Sequence, residues 1–386
     1  MICLSCSKQI DIQTPKLVVL ISVDQMRGDY IKKYNQSLDG GLKYLNENGQ
    51  SFIHTHHNHA NTSTAPGHAT IATGFHPRNH GITNNTIYYR DSRQSHYSIL
   101  DTTIKFVGIS QCKLQKSSAK NLLKPSIGDI VKSYDHKSKS YSVSLKDRAS
   151  ILMGGHHANR AFWFDAESTQ MVSTDYYSEP FPNWVKNYLG KEIIADDINS
   201  GWQLNSKTKA LYDNTKDNIK QEDGFFSPLF PHTLSNIKSN QNSNTLIGDF
   251  LWNTPFGDKF VLKFAKKLIE NQNLGKNEHI DVITISLSAA DYIGHEFGPE
   301  SYEIEDYYHK LDQYLMEFIN FLNNKIGQKN YVLALTSDHG VAPFPELALK
   351  NGSQAKRISY SKFKRDIDSI DILVQKDLNL HQTLGL

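Results

Sequence analysis

The run Lys16–Val23, KLVVLISV, stops abruptly at Asp24. An unbroken apolar run of this length, rich in β-branched residues, reads as a strand buried on both faces, the habit of parallel sheets covered by helices. Two later runs repeat the pattern. Val282–Leu287 (VITISL) is followed by a polar cluster from Ser288 to His295, and Tyr331–Leu335 (YVLAL) leads into Thr336-Ser337-Asp338-His339-Gly340. Each strand thus ends in carboxylates or imidazoles. In open α/β sheets, ligands bind outside the carboxyl ends of the strands. The pattern predicts an α/β fold with a mostly parallel sheet flanked by helices, and a site at the strand ends.

Between the strands, Phe260–Ile269 and Tyr307–Phe321 carry apolar residues near helical spacing. Residues 173–245 are rich in Asn, Ser, Lys, Tyr and Pro, and read as a cap-like insertion. The tail from Leu347 is basic and polar, without a further clear buried strand. The expected organisation is a single domain over 16–386, carrying that insertion. Residues 1–15 read equally as the remnant of a secretory or lipoprotein signal and as an ordinary N-terminus.

Composition narrows the function classes. The 386 residues carry 42 Lys plus Arg against 40 Asp plus Glu, a net charge of +2, which gives no electrostatic case for nucleic acid or an anionic membrane as the main partner. With 38% hydrophobic and 21% charged residues the chain is globular in composition, and no run of about 18 apolar residues suggests a membrane span. Cys3, Cys6 and Cys112 cannot build a disulfide framework and lack zinc-finger spacing. Seventeen histidines invite a search for metal ligands.

Thr64-Ala65-Pro66-Gly67-His68 is the sharpest local signal. Pro66 suits the first turn of a helix, so Thr64 sits at or just before its N-terminus. Backbone N–H groups and the helix dipole there favour an anion such as a phosphoryl group. The hydroxyl is then either an N-cap, which local sequence alone favours, or a nucleophile activated by a metal or base. Asp291 and His295 are four apart and share a face if the segment is helical. With Asp24, Asp338 and His339 they supply five ligands of hard and borderline type, a set that suits two divalent ions, zinc before others. Each residue alone would pass as a surface acid or a hydrogen-bonded histidine; together, at the ends of three similar strands, they point to a metal site. Lys146 and Arg148, two apart, would face one side on an extended segment, as a phosphate-binding pair or as a solvated charge pair.

These residues, in this order, resemble the alkaline phosphatase superfamily, and within it the monomeric, phosphate-irrepressible bacterial alkaline phosphatases related to nucleotide pyrophosphatase/phosphodiesterases. The shared stretches are Val23–Arg27, Thr62–Gly74, His80–Asn85, Ser144–Arg148, Asp291–His295 with Phe297-Gly298-Pro299, and Asp338–Val341. Weaker likeness runs through Ser173–Val185 and Pro255–Gly257. The resemblance implies an alkaline-phosphatase-like core and a phosphomonoesterase that acts through a phosphothreonine on Thr64. It implies that Asp24, Asp338 and His339 bind one zinc together with the Thr64 oxygen, and that Asp291 and His295 bind a second. It gives Asn85 a contact to a phosphate oxygen, and Lys146 and Arg148 the role that separates monoesterases from diesterases. Small phosphate monoesters as substrates, a monomer, and a periplasmic or secreted location follow from the same likeness. A sulfatase is disfavoured, because that branch modifies a Cys or Ser where this chain has Thr64.

One departure matters. The family takes a third histidine for the second zinc from beyond the Asp-His-Gly motif. His381 is the only histidine after His339, and its setting, Asn379-Leu380-His381-Gln382, is not the family's His-Gly motif. The chain therefore reads as C-terminally truncated, with the second zinc site incomplete and activity reduced; the alternatives are a phosphodiesterase or nucleotide pyrophosphatase on the same scaffold, which Lys146 and Arg148 argue against, and a non-catalytic truncated fragment. The group His54, His56, His57 and His59 matches no ligand position and reads as polar loop or strand residues.

Overall fold

The computed structural model describes residues 14–109, 111–213, 224–238 and 243–378. The N-terminal segment, with Cys3 and Cys6, lies outside the described residues except for its last two positions, and so does His381. The chain divides into two compact units, Met1–Val341 and Ala342–Leu386.

Among the described residues the first unit is built on nine strands: β1 (Leu17–Val23), β2 (Thr86–Tyr89), β3 (Gln94–Tyr97), β4 (Phe106–Val107), β5 (Ser140–Ser144), β6 (Arg160–Asp165), β7 (Gln170–Thr174), β8 (Asp281–Leu287) and β9 (Tyr331–Thr336). Seven form one sheet in the order β4-β7-β6-β5-β8-β1-β9, and β2 and β3 make a separate hairpin. β1, β5, β6, β8 and β9 run parallel, whereas β7 and β4 join antiparallel at one side. The three runs read from sequence are β8, β1 and β9, side by side.

Alternation along β6 shows how the sheet is covered. Phe162 and Phe164 enter a core with Phe260, Phe264 and Leu268 of the helix Pro255–Gln272 and with Tyr307, Leu311 and Leu315 of the helix Tyr302–Lys325. Ala161 and Trp163 point the other way, into a smaller core with Ala65 and Ala69 of the helix Thr64–Thr73 and Ile151 and Leu152 of the helix Asp147–Gly154. Successive side chains on a strand face opposite ways, so the two cores lie on opposite faces of the sheet. Both helical spacings read from sequence fall inside the long helices. Of the 173–245 segment, Ser173 and Thr174 complete β7. Most of its remaining described residues form short helices and turns, with Trp202 and His232 exchanging backbone hydrogen bonds at 2.7 and 3.1 Å.

The second unit contains the helices Pro345–Lys350 and Tyr360–Leu378, and Arg357 donates two hydrogen bonds to Glu346 at 2.7 and 3.0 Å. Among the described residues, no helix is long and apolar enough to cross a membrane.

Candidate active site

The carboxyl ends of β1, β5, β8 and β9 deliver the site. Asp24 follows β1 directly, and its N–H donates to the Leu287 carbonyl at the end of β8 at 2.9 Å. After β8 the chain enters the helix Ala289–Phe297, which sets Asp291 and His295 one turn apart, with His295 Nε2 3.2 Å from Asp291 Oδ1. Asp338 and His339 follow β9. His339 Nε2 lies 3.4 Å from Asp24 Oδ1, 3.5 Å from Asp338 Oδ2 and 4.0 Å from Asp291 Oδ1. Asp24, Asp291, Asp338 and His339 are all buried, so residues more than 300 positions apart meet in one cluster. His295 differs: its side chain is 71% exposed and, among the described residues, touches the cluster through Asp291.

Lys146 enters the same cluster. Its ammonium lies 2.6 Å from Asp24 Oδ2 and 2.5 Å from Asp291 Oδ2, and over the Tyr292 ring at 4.9 Å. The segment is not extended as far as Arg148, because a helix begins at Asp147, yet both cations lie close enough to Tyr292 to act on it. Arg148 lies outside the acid cluster, its charge facing Tyr97, Tyr292 and Asp147, and its Nε is buried without a hydrogen-bond partner.

Thr64 is the first residue of its helix, and Ser63 holds the cap position. The Thr64 hydroxyl makes no hydrogen bond among the described residues, whereas its carbonyl accepts from His68 Nδ1 at 2.8 Å. Asn85 is anchored at the same helix start, its Oδ1 accepting the Ala65 N–H at 2.8 Å. The hydroxyl therefore stands free at a helix N-terminus, where partial positive charge favours an anion.

Charge in the cluster is uneven. Burial, then repulsion from Asp338, push the Asp24 carboxyl well above its ordinary range, against the pull of Lys146. Burial acts the same way on Asp291 and Asp338. There it is outweighed, by Lys146 and His295 at Asp291 and by His68 and His339 at Asp338, so both stay below the usual carboxylate range. Burial alone would lower Lys146, but Asp24 and Asp291 raise it above its ordinary value.

The donor set fits a divalent cation. Asp24 Oδ1 and Asp338 Oδ2 are buried without a hydrogen-bond partner. Buried carboxylate oxygens are costly unless paired with a cation or a donor. Asp24, Asp291 and His339 place ligand atoms within 4.8 Å of one another, and so do Asp24, His68 and Asp338. Carboxylate oxygens with imidazole nitrogen suit zinc.

Two residues of the site were not singled out from sequence. Gln25 adopts φ 64°, a left-handed backbone unusual for a side chain of this type. Its N–H donates to Asp338 Oδ1 at 3.1 Å and its side-chain amide to Asp291 Oδ1 at 2.8 Å, so it bridges two of the acids. His68 is fully buried and lies 3.1 Å from Asp338 Oδ2. The only sequence signal for either was its place inside a motif.

Comparison with known proteins places this geometry. The chain is 36% identical over 344 residues to alkaline phosphatase PafA of Elizabethkingia meningoseptica, covering 88% of this chain and 62% of the relative. It is 35% identical over 362 residues to alkaline phosphatase PhoV of Synechococcus elongatus, covering 92% and 64%. The chain thus spans less than two thirds of the length of each. The crystal structure of wild-type PafA superposes with a TM-score of 0.84 at 32% identity, over 95% of this chain and 69% of that one. Residues 18–362 match the family model described as type I phosphodiesterase / nucleotide pyrophosphatase. With that match over most of its length, the chain belongs to the type I phosphodiesterase / nucleotide pyrophosphatase family, within the alkaline phosphatase superfamily.

Proposed function

We propose that this chain forms the catalytic core of a zinc-dependent phosphomonoesterase that works through a phosphothreonine on Thr64. The observation that carries the reading is the convergence of Asp24, Asp291, Asp338 and His339 on one buried cluster, beside a helix whose first residue offers a free hydroxyl. Two relatives named alkaline phosphatases support it. So does a solved PafA variant that alters one threonine, one asparagine, one lysine and one arginine, in the order in which Thr64, Asn85, Lys146 and Arg148 occur here.

Asp24, Asp338 and His339 would hold one zinc, and Asp291 and His295 a second, more open one. Bound zinc supplies charge that lowers the pKa of the Thr64 hydroxyl and of water. The chain's own residues do the rest. Thr64 presents its oxygen in line with the phosphorus, at the positive end of its helix. The Asn85 amide and Arg148 hold non-bridging oxygens, and phosphoryl transfer depends mainly on such positioning and charge neutralisation. Lys146, whose ammonium here bridges Asp24 and Asp291, would supply the charge that meets the extra anionic oxygen of a monoester, the two carboxylates then serving the cations they would hold. As the Thr64 oxygen bonds to phosphorus the P–O ester bond breaks and the alcohol leaves, taking up the proton that Thr64 gives up; water then attacks the phosphothreonine, a proton returns to Thr64 and inorganic phosphate is released.

Zinc-loaded protein assayed against an aryl phosphate monoester and a methyl aryl diester tests the reading. Monoester preference, with phosphate recovered on Thr64, is expected. Diester preference would instead assign the phosphodiesterase chemistry that names the family.

A further inference from the structure

We infer that His68 is a positioning residue that ties the Thr64 helix to the Asp338 carboxylate and thereby sets the affinity of the acid cluster for a divalent cation. The inference rests on the functional reading above. His68 Nδ1 faces two acceptors, the Thr64 carbonyl at 2.8 Å and Asp338 Oδ2 at 3.1 Å. A ring nitrogen between two oxygens must carry the proton, since a lone pair there would be repelled by both. The assignment follows from the hydrogen-bond network. His68 Nδ1 therefore has no electron pair for a cation, although the His68 ring has a nitrogen within 4.8 Å of carboxylate oxygens of Asp24 and Asp338. On the far side, Nε2 lies 2.8 Å from Ser286 Oγ, on β8, in hydrogen-bond contact with it.

The neighbouring residue explains why this contact is close. A side chain at Gly67 would put its Cβ 2.2 Å from the Asp338 carbonyl oxygen, so only glycine lets the helix meet the Asp338 backbone. Asp338 Oδ1 already accepts the N–H groups of Gln25 and His339, at 3.1 and 3.0 Å. Oδ2 meets only imidazoles, His68 at 3.1 Å and His339 at 3.5 Å. His68 is thus the group that aims the free Asp338 oxygen while gripping the helix that presents Thr64. The Nδ1–H hydrogen bond itself goes to the Thr64 carbonyl, and Asp338 Oδ2 meets the same polarised N–H edge at 3.1 Å as a close electrostatic contact; outer partners that orient metal-ligating groups typically matter about 10–100-fold in metal affinity.

Zinc affinity of the full chain, measured by competition with a chromogenic chelator and paired with thermal melting of the metal-free protein, tests the role. His68→Gln moves the amide toward the Nε2 position and is expected to weaken zinc about 10–100-fold. His68→Asn places an N–H near the Nδ1 position and should restore most of that affinity, whatever either does to melting. A role in packing alone would lower the melting temperature and leave zinc affinity unchanged, which overturns the proposal. Equal loss of one zinc equivalent in both variants would make His68 a ligand and also overturns it. If His68→Gln fails to fold, Ser286→Ala, which keeps the imidazole but removes its backstop, decides: weaker zinc is expected, and unchanged affinity contradicts the role. No zinc uptake by the unaltered chain would sink the functional reading along with it, whereas uptake with unchanged affinities sinks the His68 role alone.

Discussion

Two polar regions of the first unit use the same residue types and could hardly differ more in how those residues are satisfied. At the carboxyl ends of the strands, Asp24 Oδ1 and Asp338 Oδ2 are buried without hydrogen-bond partners, and Lys146 is drawn between Asp24 and Asp291. Near the amino ends of β5 and β6 lies a groove of about 540 Å³ lined by Asp129, Lys132, His156, Asn159, Tyr176 and Glu179, among others. Asp129 there accepts the N–H groups of Ser126, His156 and His157 at 2.9, 3.0 and 2.6 Å. Both nitrogens of His156 are engaged, by Tyr176 and by the Leu122 carbonyl, and both oxygens of Glu179 are held, by Tyr141 and Asn159. In this groove the polar groups are the satisfied ones. Acids and histidines mark a metal or catalytic centre when their polar atoms are left facing each other, and mark architecture when backbone donors have consumed them.

Substitutions can break this contrast from either side. The largest effect is expected for Thr64→Ala, with loss of any phosphatase activity by at least about a thousandfold and no labelled phosphoprotein on quench. Melting should barely change, because the hydroxyl bonds nothing in the fold. Lys146→Met removes the one cation between two buried carboxylates and should destabilise the metal-free protein by about 3–5 kcal/mol; denaturant melts with added zinc should recover most of the loss. In the groove, Asp129→Ala strips three backbone N–H groups of their acceptor, including one at a helix cap. About 2–4 kcal/mol of stability should go, with zinc affinity untouched. Asp258 sharpens the comparison, since it lies close enough to Lys146 to feel its charge yet has its oxygens bonded by Tyr307 and the Ala289 N–H. Burial pushes its carboxyl up from 3.8 to about 7. A raised folded-state value favours the protonated form, so its contribution is full below about pH 4 and is lost as pH rises through about 7. Melting followed from pH 4 to 8 should fall less steeply in Asp258→Asn than in the unaltered chain, by on the order of 1 kcal/mol or more.

Much of the fold was legible because three strands are mostly apolar and end in chemistry. β5 was not, because SYSVS reads as a polar stretch. Its serines are buried for a steric reason. A Cβ at Gly128 would lie 2.1 Å from Ser140 Oγ, and one at Gly154 would lie 3.2 Å from Ser142 Cβ, so the covering helices approach where only small residues fit. Asp291 and His295 were readable as a pair because helical spacing is local. The partners of Lys146 were not, since its carboxylates lie 122 and 145 residues away. The same holds for His68, which looks like an ordinary helical residue until Ser286, 218 positions on, is brought against it. Gln25 is hidden for another reason: its left-handed backbone comes with contacts to two acids 313 and 266 positions away and leaves no mark in composition.

Zinc content is the most direct trial of the claim that these scattered acids and imidazoles form one metal centre. Purified chain, equilibrated with zinc and freed of excess, should retain one tight equivalent on Asp24, Asp338 and His339 and a weaker one at the exposed His295 side. Asp24→Asn should lose the tight equivalent while the protein stays folded. A chain that retains no zinc, or an Asp24→Asn variant that retains as much as the original, would contradict the account.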